Sequence, residues 1–122
     1  MSDMRLGAVE ARFADIVWVN EPLSTAQLVK LCEKELQWKR TTTYTVLKRL
    51  CERGIFSLDN GTVTALIGRD EFYAKKSAEF VNDSFQGSLP AFFAAFTSGK
   101  KLSQKEIDEL QEMIDRLKGD SQ

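Results

Sequence analysis

Apolar and polar residues alternate along the first third of this chain with the period of an amphipathic helix. In residues 6–19, apolar side chains recur every three or four positions, which predicts a helix with one apolar face. Pro22 ends this helix, because proline disfavours helical geometry in the residue before it. Ser24 or Thr25 can then cap a second helix, whose apolar positions continue to Leu36. Two short helices therefore open the chain.

A third helix and a hairpin follow. Thr41 or Thr42 can cap the helix, which ends at Gly54 because glycine readily adopts the left-handed conformation of a C-terminal cap. Two β-prone runs, residues 55–58 and 62–67, are joined by a turn containing Asn-Gly, which is a strong signal of a β-hairpin. Three helices and a hairpin in this order predict a winged helix-turn-helix, a fold whose third helix enters the major groove of DNA.

The second half of the chain predicts three more helices, the first of them rich in aromatic residues and lying within residues 70–85. Gly87 and Ser88 separate it from a short helix, which the small residues 97–99 end. Ser103, with a glutamate three positions later, has the pattern of a capping box. Apolar residues then recur with a three-four-three spacing in the last helix. The whole pattern is mainly α-helical with one small β-hairpin.

The apolar residues of the second half indicate how the chain is organised. We expect a winged-helix DNA-binding domain in residues 1–68 and a helical dimerisation domain in residues 69–122. The second domain has more aromatic surface than a thin helical arm can bury alone, and a symmetric dimer commonly covers such a surface. Packing against residues 1–68 is the alternative. The dimerisation residues that we predict are Phe72, Phe80, Phe85, Leu89, Phe92, Phe93, Phe96, Ile107, Leu110, Ile114 and Leu117.

Composition excludes several classes of function. The 122 residues are 43% hydrophobic and 29% charged, which is ordinary for a globular protein, and no apolar run is long enough to span a membrane. Residues 1–5 lack a signal-peptide pattern, so we expect a cytoplasmic protein without membrane insertion. The chain has no histidine, the commonest catalytic base and metal ligand, and Cys32 and Cys51 occupy core-facing positions. We therefore expect no enzyme activity, no metal and no cofactor.

The third predicted helix is basic, although the net charge of the chain is −1. Basic side chains gain affinity for DNA by releasing counterions from its phosphates, and threonines can contact phosphates, base edges and thymine methyl groups. A solvated basic surface behind a threonine cap is the alternative interpretation. The residues that we predict to bind DNA are Lys39, Arg40, Thr41, Thr42, Tyr44, Thr45, Lys48 and Arg49.

Several short motifs along the chain match the pattern of one protein family. Residues 41–50, with residues 53–55 after them, are the most specific match. Glu10 and Trp18 in the first helix and residues 85–88 in the second half agree with the same pattern. Over almost its whole length, the chain resembles the penicillinase-repressor family of bacterial transcription regulators.

This resemblance implies a homodimer that binds a dyad-symmetric operator in double-stranded DNA and represses transcription. By the same resemblance, base and phosphate contacts fall on Thr41, Thr42, Thr45 and Arg49. Copper-responsive relatives bind metal through C-terminal cysteine pairs, which this sequence lacks. In β-lactam-responsive relatives, a regulatory membrane metalloprotease cuts an Asn-Phe bond, and the corresponding bond here joins Ala95 to Phe96. A winged-helix protein-interaction module without specific DNA binding is the alternative function.

Overall fold

The structure is a computed structural model that describes residues 6–120. Within that range it is mainly helical with a small antiparallel sheet, so the predicted fold class is confirmed. Two expectations, the lack of a signal peptide and the lack of a C-terminal cysteine pair, involve residues 1–5 and 121–122, which lie outside the described range. The elements are α1 Ala8–Asn20, β1 Leu23–Ser24, α2 Thr25–Leu36, α3 Arg40–Glu52, β2 Phe56–Asp59, β3 Thr62–Ala65, α4 Arg69–Phe85, α5 Leu89–Gly99 and α6 Gln104–Asp120.

The chain divides into two compact units within α4, one extending to Ser77 and the other beginning at Ala78. The sequence had placed this division ahead of α4. The observed boundary lies later than the predicted one because Phe72, in the first turn of α4, is 1% exposed and belongs to the core of the first unit. Its ring contacts Trp18 and Tyr73, with centroid distances of 5.6 and 5.1 Å. Phe72 is therefore a core residue of the winged helix, which corrects its assignment to the dimerisation surface.

The first unit has a closed core of aromatic and aliphatic side chains. Phe13 stacks on Trp38 with ring centroids 5.6 Å apart and meets Phe56 edge to face. The indole nitrogen of Trp18 donates a hydrogen bond to the carbonyl of Ile67 at 2.9 Å, so this large side chain packs without an unpaired donor. The buried apolar residues are Phe13, Ala14, Ile16, Val17, Leu23, Leu28, Cys32, Val46, Leu47, Leu50, Ile55, Phe56, Val63, Ile67 and Phe72.

The ends of α1 and α2 follow the sequence pattern. α1 stops at Asn20, two residues before Pro22, as expected. Ser24 caps α2: its hydroxyl accepts from the N–H of Gln27 at 3.1 Å, and the Gln27 side chain accepts from the N–H of Ser24 at 2.9 Å. Val9, which the periodicity had placed on the apolar face of α1, is 54% exposed because it lies in the first turn, beyond the core.

The hairpin is a two-residue turn between β2 and β3. Asn60 and Gly61 both have positive φ angles, 52° and 74°, as the tight turn of a right-twisted hairpin requires. A third strand, β1, pairs with β3 and gives the strand order β1-β3-β2. It comprises only Leu23 and Ser24, and two residues are too few to show the alternation that indicates a strand. The N–H of Thr25 also donates to the carbonyl of Gly61, which holds the turn against the start of α2.

The second unit consists of the end of α4 and the helices α5 and α6. Ser88 caps α5, since its hydroxyl accepts from the N–H of Ala91 at 3.1 Å. The helix ends at Gly99, within the predicted residues 97–99. The hydroxyls of Thr97 and Ser98 donate to carbonyls of the preceding turn, so these polar residues fit within the last turn of the helix.

The predicted capping box of the last helix is present. The Ser103 hydroxyl accepts from the N–H of Glu106 at 3.1 Å, and the Glu106 carboxylate accepts from the N–H of Ser103 at 3.0 Å. These hydrogen bonds lower the pKa of Glu106. Among the described residues, no helix combines the length and the apolarity that a membrane crossing needs.

Candidate nucleic-acid interface

The third helix starts at a different residue from the one predicted. Its N-cap is Lys39, in an extended conformation and without a side-chain hydrogen bond, rather than Thr41 or Thr42. Threonine hydroxyls point backwards along the helix instead: that of Thr43 donates to the Lys39 carbonyl at 3.3 Å, and that of Thr45 donates to the Thr41 carbonyl at 2.9 Å. Such bonds satisfy a threonine inside a helix, so the threonines are compatible with its first two turns.

The C-terminal end of α3 agrees with the prediction. Gly54 has a φ angle of 81°. Its N–H bonds to the carbonyl of Cys51, and the N–H of Ile55 bonds to the carbonyl of Leu50. This pair of hydrogen bonds is a Schellman motif, in which the left-handed residue costs least when it is glycine. α3 therefore has a defined end, which directs the chain into the hairpin.

The two sides of α3 differ in burial and in chemistry. The inner side comprises Thr43, Val46, Leu47 and Leu50, all buried in the core of the first unit. The hydroxyl of Thr43 is satisfied by the Lys39 carbonyl, so this threonine serves the fold. The outer side comprises residues that are exposed to solvent: Lys39, Arg40, Thr41, Thr42, Thr45, Lys48 and Arg49. Seven of the predicted DNA-binding residues thus share one accessible, basic and threonine-rich surface.

Tyr44, the remaining predicted residue, links α3 to α2. The Arg40 guanidinium lies 5.5 Å from the centre of its ring, within range of a cation–π interaction. A hydrogen bond with Thr25 lowers the pKa of the Tyr44 phenol, outweighing partial burial, and Arg40 contributes in the same direction. Since Thr25 is the first residue of α2, the Tyr44 side chain ties the start of one helix to the first turns of the other.

Arg49 has a partner that the sequence analysis missed. Its guanidinium bonds to Oε2 of Glu10 at 3.0 Å, and the Arg53 guanidinium lies 3.5 Å from Oε1 of the same carboxylate. Glu10 belongs to α1, and a pairing between residues so distant in sequence leaves no periodic signal. Burial opposes ionisation of Glu10, but hydrogen bonds from the Gly7 N–H and Arg49, with the charges of Arg53 and Arg49, lower its pKa.

The wing carries little charge that could attract phosphates. Its tip consists of Asp59, Asn60 and Gly61, all exposed and none of them basic. The tip of the hairpin therefore adds no positive charge to that of α3 and its flanks.

The predicted dimerisation residues, apart from Phe72, lie in the second unit, and none of residues 78–120 is buried. Phe80, Phe85 and Phe92 form an aromatic cluster with centroid distances of 5.7 to 6.0 Å. Leu110, Phe85 and Phe92 are half-buried. The large apolar side chains left exposed are Phe80 (53%), Leu89 (62%), Phe93 (45%), Phe96 (45%), Ile107 (45%), Met113 (53%), Ile114 (50%) and Leu117 (65%).

The candidate cleavage bond, between Ala95 and Phe96, lies inside α5. Both residues are exposed. Phe96 packs on Phe92, with centroids 6.2 Å apart, and the Lys100 ammonium lies 5.9 Å from its ring. A protease must extend a substrate to cut it, so cleavage here requires the end of α5 to unwind.

The two cysteines are free thiols. Cys32 is fully buried, and burial raises the pKa of its thiol; burial also raises the pKa of half-buried Cys51. Neither is therefore activated as a nucleophile. Within residues 6–120, no group of three or more potential ligands is arranged to hold a metal ion.

The fold and its exposed basic helix define a winged-helix DNA-binding protein with a C-terminal helical module. Comparison with known proteins identifies the family: residues 6–116 match the penicillinase repressor family, and the chain belongs to it. The chain is thus a member of a family of transcriptional repressors, and not of enzymes.

Individual relatives are more distant. The chain is 25% identical over 118 residues to the penicillinase repressor of Bacillus licheniformis, covering 93% of this chain and 92% of that protein. It is 24% identical over 115 residues to the methicillin resistance regulatory protein MecI of Staphylococcus aureus strain Mu50, covering 91% and 94%. A MecI protein of Mammaliicoccus sciuri is 23% identical over the same length. The similarity is low, but it extends along nearly the whole of each protein.

Proposed function

We propose that this protein represses transcription by binding a dyad-symmetric operator as a homodimer, with one α3 in the major groove of each half-site. The observation that supports the proposal best is the division of α3 into a buried side and an exposed basic side rich in threonine. A helix in the major groove needs such a surface, with short side chains that allow close approach. As a regulator of genes, the protein would act in the cytoplasm.

Each residue of this surface has a proposed role. Lys39, Arg40, Lys48 and Arg49 supply attraction to phosphates, which positions the helix without reading sequence. In this proposal, Thr41 and Thr42, in the first turn, contact phosphates or base edges, as does Tyr44 beside them. Thr45 donates its hydroxyl hydrogen to the Thr41 carbonyl, so it presents oxygen lone pairs and a methyl group outwards. Those groups suit a base amino group and a thymine methyl.

The exposed apolar side chains of the second unit support a homodimer. Exposed apolar patches of this extent mark interaction surfaces in soluble proteins, and a second copy of the same chain is the commonest partner. Two linked recognition helices make binding of the second half-site effectively intramolecular, which raises affinity by about two to four orders of magnitude. With few cations on α3 and none at the tip of the wing, a monomer would bind DNA weakly.

The proposal is tested by titrating the purified protein against a labelled fragment of the DNA upstream of its own gene, in competition with DNA of random sequence. We expect preferential binding of the upstream fragment by a dimer, a footprint with two symmetric halves, and weaker binding as salt rises. Simultaneous replacement of Thr45 and Lys48 by alanine should abolish the preference. If the wild-type protein shows no preference for any genomic fragment, a winged-helix protein-interaction module becomes the better description.

We also propose that derepression, where it is proteolytic, uses the Ala95–Phe96 bond and a regulatory membrane metalloprotease. Cleavage there would separate Phe96 and all of α6 from the rest of the chain, and so remove much of the exposed apolar surface. The test is an immunoblot of cells before and after induction, with Phe96→Pro as a variant that blocks cleavage. Persistence of the full-length band during induction would exclude this route.

A further inference from the structure

The carboxylate of Glu10 lies against the basic surface proposed to bind DNA. It bonds to Arg49, which belongs to that surface, and it lies within ion-pair distance of Arg53 at the end of the same helix. The Glu10 side chain is 18% exposed, whereas that of Arg49 is 46% exposed and accessible to solvent. One acidic group of α1 thus neutralises part of the positive charge at the C-terminal half of α3.

Glu10 is held in place independently of the two arginines. Its Oε1 accepts a hydrogen bond from the N–H of Gly7 at 3.1 Å, as expected for an acidic residue in the first turn of a helix. The backbone of α1 therefore fixes the carboxylate, and the long arginine side chains reach towards it. A phosphate that approaches Arg49 must compete with an anion that is already in position.

We propose that Glu10 restrains DNA binding by competing with phosphates for the guanidinium of Arg49. The inference rests on the proposed function and adds a residue outside α3 to it. Non-specific binding depends almost wholly on phosphate contacts, whereas operator binding adds contacts to base edges. An internal anion therefore weakens binding to all sequences alike, which lowers the fraction of protein held on non-specific DNA.

The size of the effect follows from the exposure of the ion pair. Surface ion pairs contribute little, from nothing to about 1 kcal/mol, which is equivalent to at most about fivefold in affinity. Neutralising Glu10 should raise non-specific affinity by about two- to fivefold per protomer. If Arg49 gains one phosphate contact, the logarithmic salt dependence should steepen by about 1 per protomer.

The test uses the full-length protein, a labelled duplex of random sequence and a range of salt concentrations. Glu10→Gln removes the charge and keeps the acceptor for the Gly7 N–H. The matched control is Asp15→Asn, which also lies on α1 and also releases an arginine, because Asp15 bonds to Arg69 at 3.0 Å. Both variants change the net charge equally, but only the first releases a cation of α3. We expect tighter binding and a steeper salt dependence for Glu10→Gln alone.

A double replacement identifies the cation involved. If Arg49 carries the effect, Glu10→Gln should change non-specific affinity little in a chain that already contains Arg49→Gln. Circular dichroism spectra establish that the variants fold; should Glu10→Gln fail to fold, Glu10→Ala makes the same charge change. Equal gains for Glu10→Gln and Asp15→Asn would show a general effect of charge and overturn the inference, as would unchanged or weaker binding by a folded Glu10 variant.

Different results would contradict the proposed function and this inference. If the wild-type protein does not prefer its upstream fragment over random DNA, the proposed function is wrong, whatever the Glu10 variants do. If the wild-type protein shows that preference and Glu10→Gln behaves like Asp15→Asn, the inference alone is wrong. If both are right, Glu10→Gln binds the upstream fragment and random DNA more tightly by similar factors and keeps its preference for the upstream fragment.

Discussion

The first unit buries its large side chains, whereas the second leaves its own exposed. Phe13 and Phe56 are fully buried in the first unit, and Phe93 and Phe96 remain 45% exposed in the second, although all four are phenylalanines on short elements. The first unit surrounds its core with helices and a sheet. In the second unit, a few helices have no layer to cover their apolar sides. Apolar composition alone therefore does not distinguish a core from an interface.

This difference also divides the proposed function. In that proposal, the unit with the closed core presents a polar, basic surface to DNA, and its own folding places α3. The other unit, in which none of residues 78–120 is buried, presents an apolar surface that a second chain would cover. Replacements of apolar residues should accordingly have different effects in the two units. In the first unit they should destabilise the fold, and in the second they should weaken association.

The largest effect should come from Phe56→Ala in the first unit. Removing a fully buried phenylalanine leaves a cavity and should lower the free energy of unfolding by about 3 to 5 kcal/mol. Phe93→Ala is the comparison in the second unit; it should act mainly by weakening association, which makes the unfolding midpoint less dependent on protein concentration. Chemical denaturation at several concentrations distinguishes the two. A loss below about 1 kcal/mol for Phe56→Ala would contradict the division into two kinds of unit.

The next effect concerns association. Leu117→Glu places a charge on the exposed apolar side of α6, and we expect it to produce monomers with at least about a hundredfold weaker operator binding. Leu66→Glu is the matched control, because Leu66 is 62% exposed and Leu117 is 65% exposed, but Leu66 lies in the first unit. Sedimentation gives the mass of each variant. Dimers of Leu117→Glu, or monomers of Leu66→Glu, would show that the proposed interface is wrongly placed.

A smaller effect tests how α3 contacts bases. Thr45→Val keeps the methyl group and loses the oxygen, while Thr45→Ser keeps the oxygen and loses the methyl. Each should weaken operator binding by about tenfold, near the low end for a base contact, and leave binding to random DNA unchanged. Thr62→Val, at an exposed threonine of β3, is the control. Competition binding measures all three. Equal losses on operator and random DNA would assign Thr45 to the phosphate backbone.

The smallest effect is a dependence of stability on pH. The pKa of Glu10 in the folded chain lies below the ordinary value of 4.5. Its ion pairs therefore stabilise the fold fully above that value, and the stabilisation is lost as pH falls through the folded-state pKa. Wild-type protein should lose more stability on acidification than Glu10→Gln. Unfolding curves measured across this pH range provide the comparison. If the free energy of unfolding depends on pH equally in the two proteins, Glu10 does not contribute to that dependence.

Local rules predicted most of the elements. The apolar periodicity gave the helices, Asn-Gly gave the hairpin turn, and the Ser24 and Ser103 patterns gave the caps of α2 and α6, because each of these signals depends on neighbours within a few residues. The start of α3 was predicted two or three residues late, since Lys39 takes the N-cap position predicted for Thr41 or Thr42. Local chemistry allowed both arrangements, and packing of the core selected one.

Features that depend on distant residues were missed. Phe72 follows the same periodicity as Phe80, and only its contact with Trp18 shows that it belongs to the first unit. β1 is too short to produce a pattern and is defined only by its pairing with β3. The ion pair of Glu10 and Arg49 joins two helices whose separate charges look ordinary. For the candidate site, the sequence predicted which residues are present on α3 but could not predict which of them have partners elsewhere.

The buried thiol at Cys32 gives the molecule a natural reporter. A fully buried cysteine with a raised pKa reacts with alkylating reagents only after the surrounding helices separate, so its labelling rate measures opening of the winged helix in the unmodified protein. Both cysteines of the sequence lie before Ser77. Thiol labelling therefore does not report events confined to the helical module. Combined with sedimentation, it would measure unfolding of the winged helix and dissociation of the dimer separately.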